Sequence, residues 1–205
     1  MSKLRSIGVV LFDEFELLDV FGPLEMYGMA PESFEIHMVA EKAGTVASKQ
    51  GPRSVVDHDF GDERPYDILL VPGGRGTRTQ VDNPALLEWL RTRSAAAEYV
   101  TSVCTGSALL AKAGVLDGLR ATTNKRAFAW ASSQSDEVRW KREARWVEDG
   151  KFFTSSGVSA GMDMTLALIA GLLGRAQAEQ IAIWTEYEWH SDAGWDPFAK
   201  IHGLV

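Results

Sequence analysis

The chain contains one cysteine, Cys104, and its neighbours give that thiol a particular setting. Tyr99-Val100-Thr101-Ser102-Val103 reads as a strand, and Cys104-Thr105-Gly106-Ser107 leads from it into an Ala- and Leu-rich helix. A nucleophile on such a sharp strand-to-helix turn stands clear of the backbone that carries it. The partial positive charge at a helix start lowers a thiol's pKa, and the thiolate is the reactive form. The spacing therefore predicts an ionised Cys104, with the Thr105 amide aimed where negative charge forms on an attacked atom. A buried structural cysteine is the plainer alternative.

Two other junctions could serve that thiol. After Ile68-Leu69-Leu70-Val71 comes Pro72-Gly73-Gly74-Arg75-Gly76, whose glycines allow close backbone approach and make the Gly74 amide a candidate second oxyanion donor. The segment lacks the Gly-Lys-Ser/Thr ending of a phosphate loop and the glycine spacing of a dinucleotide site. After the first strand, Glu16 to Glu25 includes Asp19 and Pro23. Proline suits the first position of a helix, which would put Asp19 just outside it. Among Leu17, Leu18, Val20 and Phe21 its carboxyl would lose water, and its pKa would rise toward a range useful for proton transfer.

Gly157-Val158-Ser159-Ala160-Gly161 is a rival elbow of the Gly-x-Ser-x-Gly type, with His190 and His202 as the histidines that follow it. The chain has no His-Gly-Gly oxyanion segment, which weighs against a serine hydrolase. None of the four histidines stands four residues from another, so metal catalysis has no support. His37 and His58 read as structural, and His190 as the end of a helix, where an imidazolium meets the dipole. Trp184, Trp189 and Trp195 fall close together, with core packing as their default role.

The elements that must position these residues follow from hydrophobic pattern. Residues 7–12, 34–40, 67–71, 99–103 and 152–155 are apolar runs of strand length, as in a parallel sheet covered on both faces. Residues 84–97, 106–115, 160–173 and 176–189 show helical spacing. Alternating strands and helices predict an α/β three-layer sandwich around a mostly parallel sheet, whose sites collect beyond the strands' carboxyl ends. Residues 46–60 and 138–153 read as small antiparallel insertions, the second turning at Glu148-Asp149-Gly150. With 205 residues, no internal repeat and no linker, one domain over 1–205 is the expected organisation.

Composition narrows the partners. Twenty-one basic and 28 acidic residues give a net charge of −7 without a run of Lys or Arg, which argues against nucleic acid. No apolar stretch approaches the about 20 residues of a membrane span, and residues 1–5 lead directly into a strand, so a cytoplasmic location is expected.

Taken together, Leu18-Asp19-Val20-Phe21-Gly22-Pro23, Val71-Pro72-Gly73-Gly74, Ser102-Val103-Cys104-Thr105-Gly106-Ser107, Arg120-Ala121-Thr122-Thr123 and Gly157 to Asp163 resemble the ThiJ/PfpI, or DJ, superfamily. That superfamily is related to class I glutamine amidotransferase domains and has a flavodoxin-like fold. Ser-Val-Cys-Thr-Gly-Ser with Leu-Asp-x-x-Gly-Pro is most similar to its isocyanide hydratase branch, which adds water to an isocyanide without a cofactor. The resemblance implies that Cys104 attacks the terminal carbon to give a thioimidate while Asp19 handles protons and activates water. It further implies the Gly74 and Thr105 amides by the sulfur, Val158 along the pocket, a small-molecule substrate and a homodimer. Many relatives carry a histidine after Ala-Thr-Thr; here Asn124 stands there, which weakens a Cys-His peptidase mechanism because an amide is no base near neutral pH. A glyoxalase- or amidase-like activity at the same thiol, or a cysteine redox sensor or binding protein, are the competing readings.

Overall fold

The computed structural model describes residues 3–205. The chain opens with β1 (Arg5–Leu11), crosses over through α1 (Leu17–Gly28) and returns as β2 (Phe34–Ala40). A hairpin of β3 (Gly44–Ala47) and β4 (Arg53–Val56) and a short β5 (His58–Asp59) precede β6 (Ile68–Val71). Next come α2 (Thr77–Gln80), α3 (Pro84–Ala96), β7 (Tyr99–Ser102) and α4 (Gly106–Lys112). The chain continues through β8 (Arg120–Ala121), α5 (Phe128–Ser132), β9 (Arg139–Trp140), β10 (Trp146–Asp149) and β11 (Phe152–Ser155). It ends with α6 (Ala160–Leu173), α7 (Arg175–Trp184) and α8 (Pro197–Ile201).

Among the described residues, seven strands form the main sheet in the order β10-β11-β7-β6-β1-β2-β5. All neighbours run parallel except β10 and β11. The apolar runs are explained by this position: Val9 and Val10 of β1 and all of β6 are buried, covered by helices on both sides. The expected flavodoxin-like α/β sandwich is thus what the chain adopts. No helix among the described residues is long and apolar enough to cross a membrane.

Several local expectations shift. α1 starts at Leu17 rather than Pro23, so Asp19 lies inside its first turn and Pro23 is internal. The only intrahelical bond that proline forfeits is to the Asp19 carbonyl, a modest loss in a helix whose inner face packs on the core. The second insertion divides in two. β9 pairs in parallel with β8, whereas β10 and β11 form the hairpin, turning at Gly150-Lys151 with Gly150 at φ 60°. α7 stops at Trp184, and Glu186 at φ 48° turns the chain away. His190 therefore ends no helix: its amide donates to Asp163 Oδ1 at 2.9 Å, and its Nδ1 lies 3.1 Å from the Glu188 carbonyl. Trp184 and Trp195 are exposed rather than packed in the core.

Candidate active site

The carboxyl ends of β1, β6, β7 and β11 lie along one edge of the sheet, and the residues that follow them converge there. Leaving β7, Cys104 adopts φ 57°, a left-handed conformation costing a non-glycine residue about 1–3 kcal/mol. The surroundings hold it there. Its amide donates to the Ser156 carbonyl at 3.0 Å, and its carbonyl accepts from Thr123 Oγ1 at 3.0 Å and Ser107 Oγ at 3.2 Å. Gly106 permits the turn because any Cβ there would strike the Val71 carbonyl oxygen. Ser159, by contrast, sits at φ −71° in ordinary helical geometry, and no histidine ring hydrogen-bonds to it among the described residues. Asp163, a conceivable acid for a serine mechanism, is engaged instead by Arg145 Nε at 2.7 Å. The strain and the polar clamp belong to the cysteine.

Asp19 reaches the same point from α1. Its Oδ2 accepts from the Gly73 amide at 2.9 Å, Oδ1 has no hydrogen-bond partner among the described residues, and the carboxyl lies close enough to Cys104 for the two groups to influence each other's ionisation. Gly73 must be glycine, since a Cβ would stand 2.5 Å from the Thr105 nitrogen and 2.9 Å from Asp19 Oδ2. Asp19 is wholly buried, and burial pushes its carboxyl well above the usual carboxylate range despite the Gly73 bond. The desolvation expected of it is present, although Leu18 and Phe21 are exposed and do not supply it.

Cys104 departs from expectation in one respect. Its thiol is pushed well up rather than down, first by burial and next by the neighbouring Asp19 carboxyl; hydrogen bonds from the Thr105 amide and hydroxyl act in the opposite direction. A residue only 7% exposed loses more solvation than the start of a short helix returns. The Thr105 amide does point at the sulfur. The Gly74 amide does not stand free as an oxyanion donor: it donates to Thr105 Oγ1 at 3.2 Å, while the Gly74 carbonyl accepts from Thr77 Oγ1 at 2.7 Å.

Cys104 opens onto a cleft of about 670 Å³ lined by Thr105, Gly74, Asn124 and Val158, and Asp19, buried and hydrogen-bonded to the Gly73 amide, acts on the sulfur, so the structure brings all six candidate residues together. Asn124 Oδ1 accepts from the Ala127 amide at 3.0 Å, and its side chain fills the space that a Cβ on Gly157 would need. The cleft continues past Asn124 and Val158 to Phe198 and His202. Sequence pattern alone passes over Thr123 and Ser107, which fix the strained turn, and over Arg78 and Arg126, which line the cleft. The two hydroxyl residues fall within the Thr-Thr and Cys-Thr-Gly-Ser motifs and could have been found there; the arginines stand in no motif.

An α/β sandwich with a strained cysteine at a strand-to-helix turn, backed by a buried carboxyl, defines a class of thiol-bearing flavodoxin-like proteins. The chain belongs to the DJ-1/PfpI family, whose sequence model matches residues 5–171. It is 34% identical over 182 residues to isonitrile hydratase of Pseudomonas putida, covering 89% of this chain and 78% of that protein. It is 28% identical to the HTH-type transcriptional regulator GbdR of Pseudomonas aeruginosa, covering 90% of this chain but 51% of the regulator. A crystal structure of a ThiJ/PfpI family protein from Pseudomonas syringae superposes with a TM-score of 0.81 at 31% identity, covering 91% of this chain and 76% of that one.

Proposed function

We propose that this protein is a cofactor-independent lyase that adds water to an isocyanide to give an N-formamide. The observation that carries this reading is the pairing of Cys104, at the cleft, with the wholly buried Asp19 carboxyl, one nucleophile and one proton carrier near enough to shift each other's ionisation. Likeness to isonitrile hydratase of Pseudomonas putida supports the substrate class. Asp19, whose carboxyl is pushed well above the usual carboxylate range by burial, is suited to delivering a proton rather than to holding a charge.

In the first step the Cys104 sulfur bonds to the terminal isocyanide carbon. Asp19 gives its proton to that carbon and takes the thiol proton, leaving a thioimidate, R–N=CH–S–Cys. Water then adds to the same carbon: its oxygen forms the new bond, one proton reaches the nitrogen through Asp19, and the C=N bond becomes single. The C–S bond breaks as the carbonyl forms, the hydroxyl proton returns to sulfur, and R–NH–CHO leaves. The Thr105 amide favours the sulfur's negative charge during attack and departure. Asn124 orients the water, and Val158 supplies an apolar wall for the substrate's R group. The reaction takes place in the reducing cytoplasm, where the lone thiol stays reduced, and in a homodimer detectable as the mass of two 22.5 kDa chains by light scattering.

Purified protein should form N-formamides from aliphatic or aromatic isocyanides. Cys104→Ala should abolish turnover, and Asp19→Asn should lower it by about 10²–10⁴-fold with the fold retained. Folded protein that hydrates none of them, or a Cys104→Ala variant that still does so, overturns the reading.

A further inference from the structure

The cleft's charge runs against the molecule's. Its walls carry Lys49, Arg75, Arg78 and Arg126 against Glu14 and Glu16, in a chain whose net charge is −7. Lys49 and Arg75 each lie 3.9 Å from a carboxylate, of Glu16 and Glu14 respectively. Arg78 and Arg126 have no carboxylate partner among the described residues.

Arg78 is also held in place. Its guanidinium carbon lies 3.7 Å from the centroid of the Trp130 ring, and its Nη1 donates to Thr77 Oγ1 at 3.0 Å. Thr77 Oγ1 lies 3.1 Å from Thr105 Oγ1, so the stacked guanidinium is tied to the turn that carries the sulfur. A solvated surface arginine would spread over many rotamers; this one is stacked and bonded before anything binds. Burial works against its charge, and Arg126 adds repulsion. Arg78 and Arg126 line one cleft, repel each other and have no carboxylate paired to either among the described residues, so an anion bound beside them would relieve that repulsion.

The geometry points to an anion subsite formed by Arg78 and Arg126, so that the compound attacked by Cys104 carries a carboxylate on the part that leads away from its electrophilic carbon. This rests on the reading of Cys104 as the nucleophile, and it narrows the substrate from isocyanides in general to those bearing an acid group. Planar, multidentate guanidinium recognition suits a carboxylate, and Asn124 on the same wall can donate a further hydrogen bond through Nδ2.

Alkylation of Cys104 by iodoacetate and by iodoacetamide separates the subsite from the thiol. Both reagents need the same thiolate, so the ratio of their rates cancels any change in sulfur ionisation and reports the attraction for the carboxylate. Arg78→Gln combined with Arg126→Gln should lower the iodoacetate-to-iodoacetamide ratio by about tenfold at low salt. Salt should erode the wild-type ratio. Arg78→Lys, which keeps the charge without the flat stack on Trp130, should retain more of the ratio than Arg78→Gln.

An unchanged ratio in the double variant overturns the subsite. So does an equal fall in Arg142→Gln, whose charge lines a separate cleft and would report only the field of the whole molecule. If neither reagent modifies Cys104, the nucleophile reading fails. The subsite is then decided by titrating isobutyrate and isobutyramide against the arginine Nε–H resonances: shifts at Arg78 and Arg126 with the acid alone support it, and equal or absent shifts overturn it.

Discussion

Asp19 concentrates a conflict between stability and chemistry in one side chain. It is completely buried, one of its oxygens receives the Gly73 amide, and the other has no hydrogen-bond partner among the described residues. Because the folded pKa lies above the unfolded value of 3.8, the folded state binds this proton more tightly than the unfolded chain. The stability linked to that proton is complete below pH 3.8 and is lost as pH rises through the raised folded value. Asp19→Asn, which is never charged, should therefore be more stable than the wild type near neutral pH by on the order of 1 kcal/mol. That corresponds to about 2–4 °C in Tm. The advantage should shrink toward pH 4, as thermal melts across pH would reveal; a variant less stable than wild type at every pH would show that the carboxyl is not desolvated. The same proton governs the proposed reaction, so turnover should fall as pH rises past the point where Asp19 loses it. Cys104, Asp19 and Thr105 were legible because each follows the end of an apolar run, and parallel strands deliver such positions to one edge. Arg78 and Arg126 were not, because two exposed arginines 48 residues apart gain meaning only when α2 and the turn before α5 face one cleft.

At the scale of elements, the turn between β7 and α4 must pass directly beneath the end of β6. Gly106 lies against the Val71 carbonyl, and because that oxygen belongs to a central strand it cannot move aside. Gly106→Ala should destabilise the protein by more than about 3 kcal/mol, among the large effects reserved for forced backbone displacement. Gly171 is the internal control. It lies in α6 with nothing within 4 Å of the place a Cβ would occupy, so Gly171→Ala should stabilise by about 0.4–1 kcal/mol. Denaturant titration of the two variants distinguishes a glycine required by contact from one merely tolerated; equal midpoints would contradict the packing at Val71. Long elements were legible for the same physical reason that they are rigid. α6 spans Ala160–Leu173 because its apolar face repeats at helical spacing, and β2 spans Phe34–Ala40 because apolar residues dominate a strand-length segment interrupted only by Glu35 and His37. β5, β8 and β9 have two residues each, too few to show any period: β5 adds to the edge of β2, and β8 and β9 pair only with each other among the described residues. α7 ends at Trp184 although Trp189 continues the helical spacing, because the Trp189 indole serves a different contact: Nε1 donates to the Asp163 carbonyl at 3.1 Å.

Across the whole molecule, the residues beyond the family match at 5–171 are fastened to the shared core through Asp163. This buried carboxylate on α6 accepts from Arg145 Nε at 2.7 Å, from Tyr187 Oη at 3.0 Å and from the His190 amide at 2.9 Å. The Arg145 amide in turn donates to the Ala193 carbonyl at 2.8 Å. One ion pair thus joins α6, the start of β10 and the segment leading to α8, which forms the far wall of the cleft at Phe198. Burial raises the Asp163 pKa even though Arg145 pulls it down, so desolvation is the larger influence and the pair is costly unless complete. Arg145→Met should cost about 3–5 kcal/mol, because the carboxylate stays buried without its counter-charge. Asp163→Asn added to that variant keeps an oxygen for Tyr187 and the His190 amide while removing the stranded charge, and should recover at least about 1 kcal/mol. The single variant's deficit should also depend on pH in a defined direction. Without Arg145 the folded Asp163 pKa rises further, so the carboxyl is neutral in acid and the loss of stability grows as pH rises toward neutrality. Urea unfolding of both single variants and the double variant at two pH values tests this directly: additive costs, or a deficit of Arg145→Met that does not change with pH, would mean that the charge pair does not hold the C-terminal segment in place.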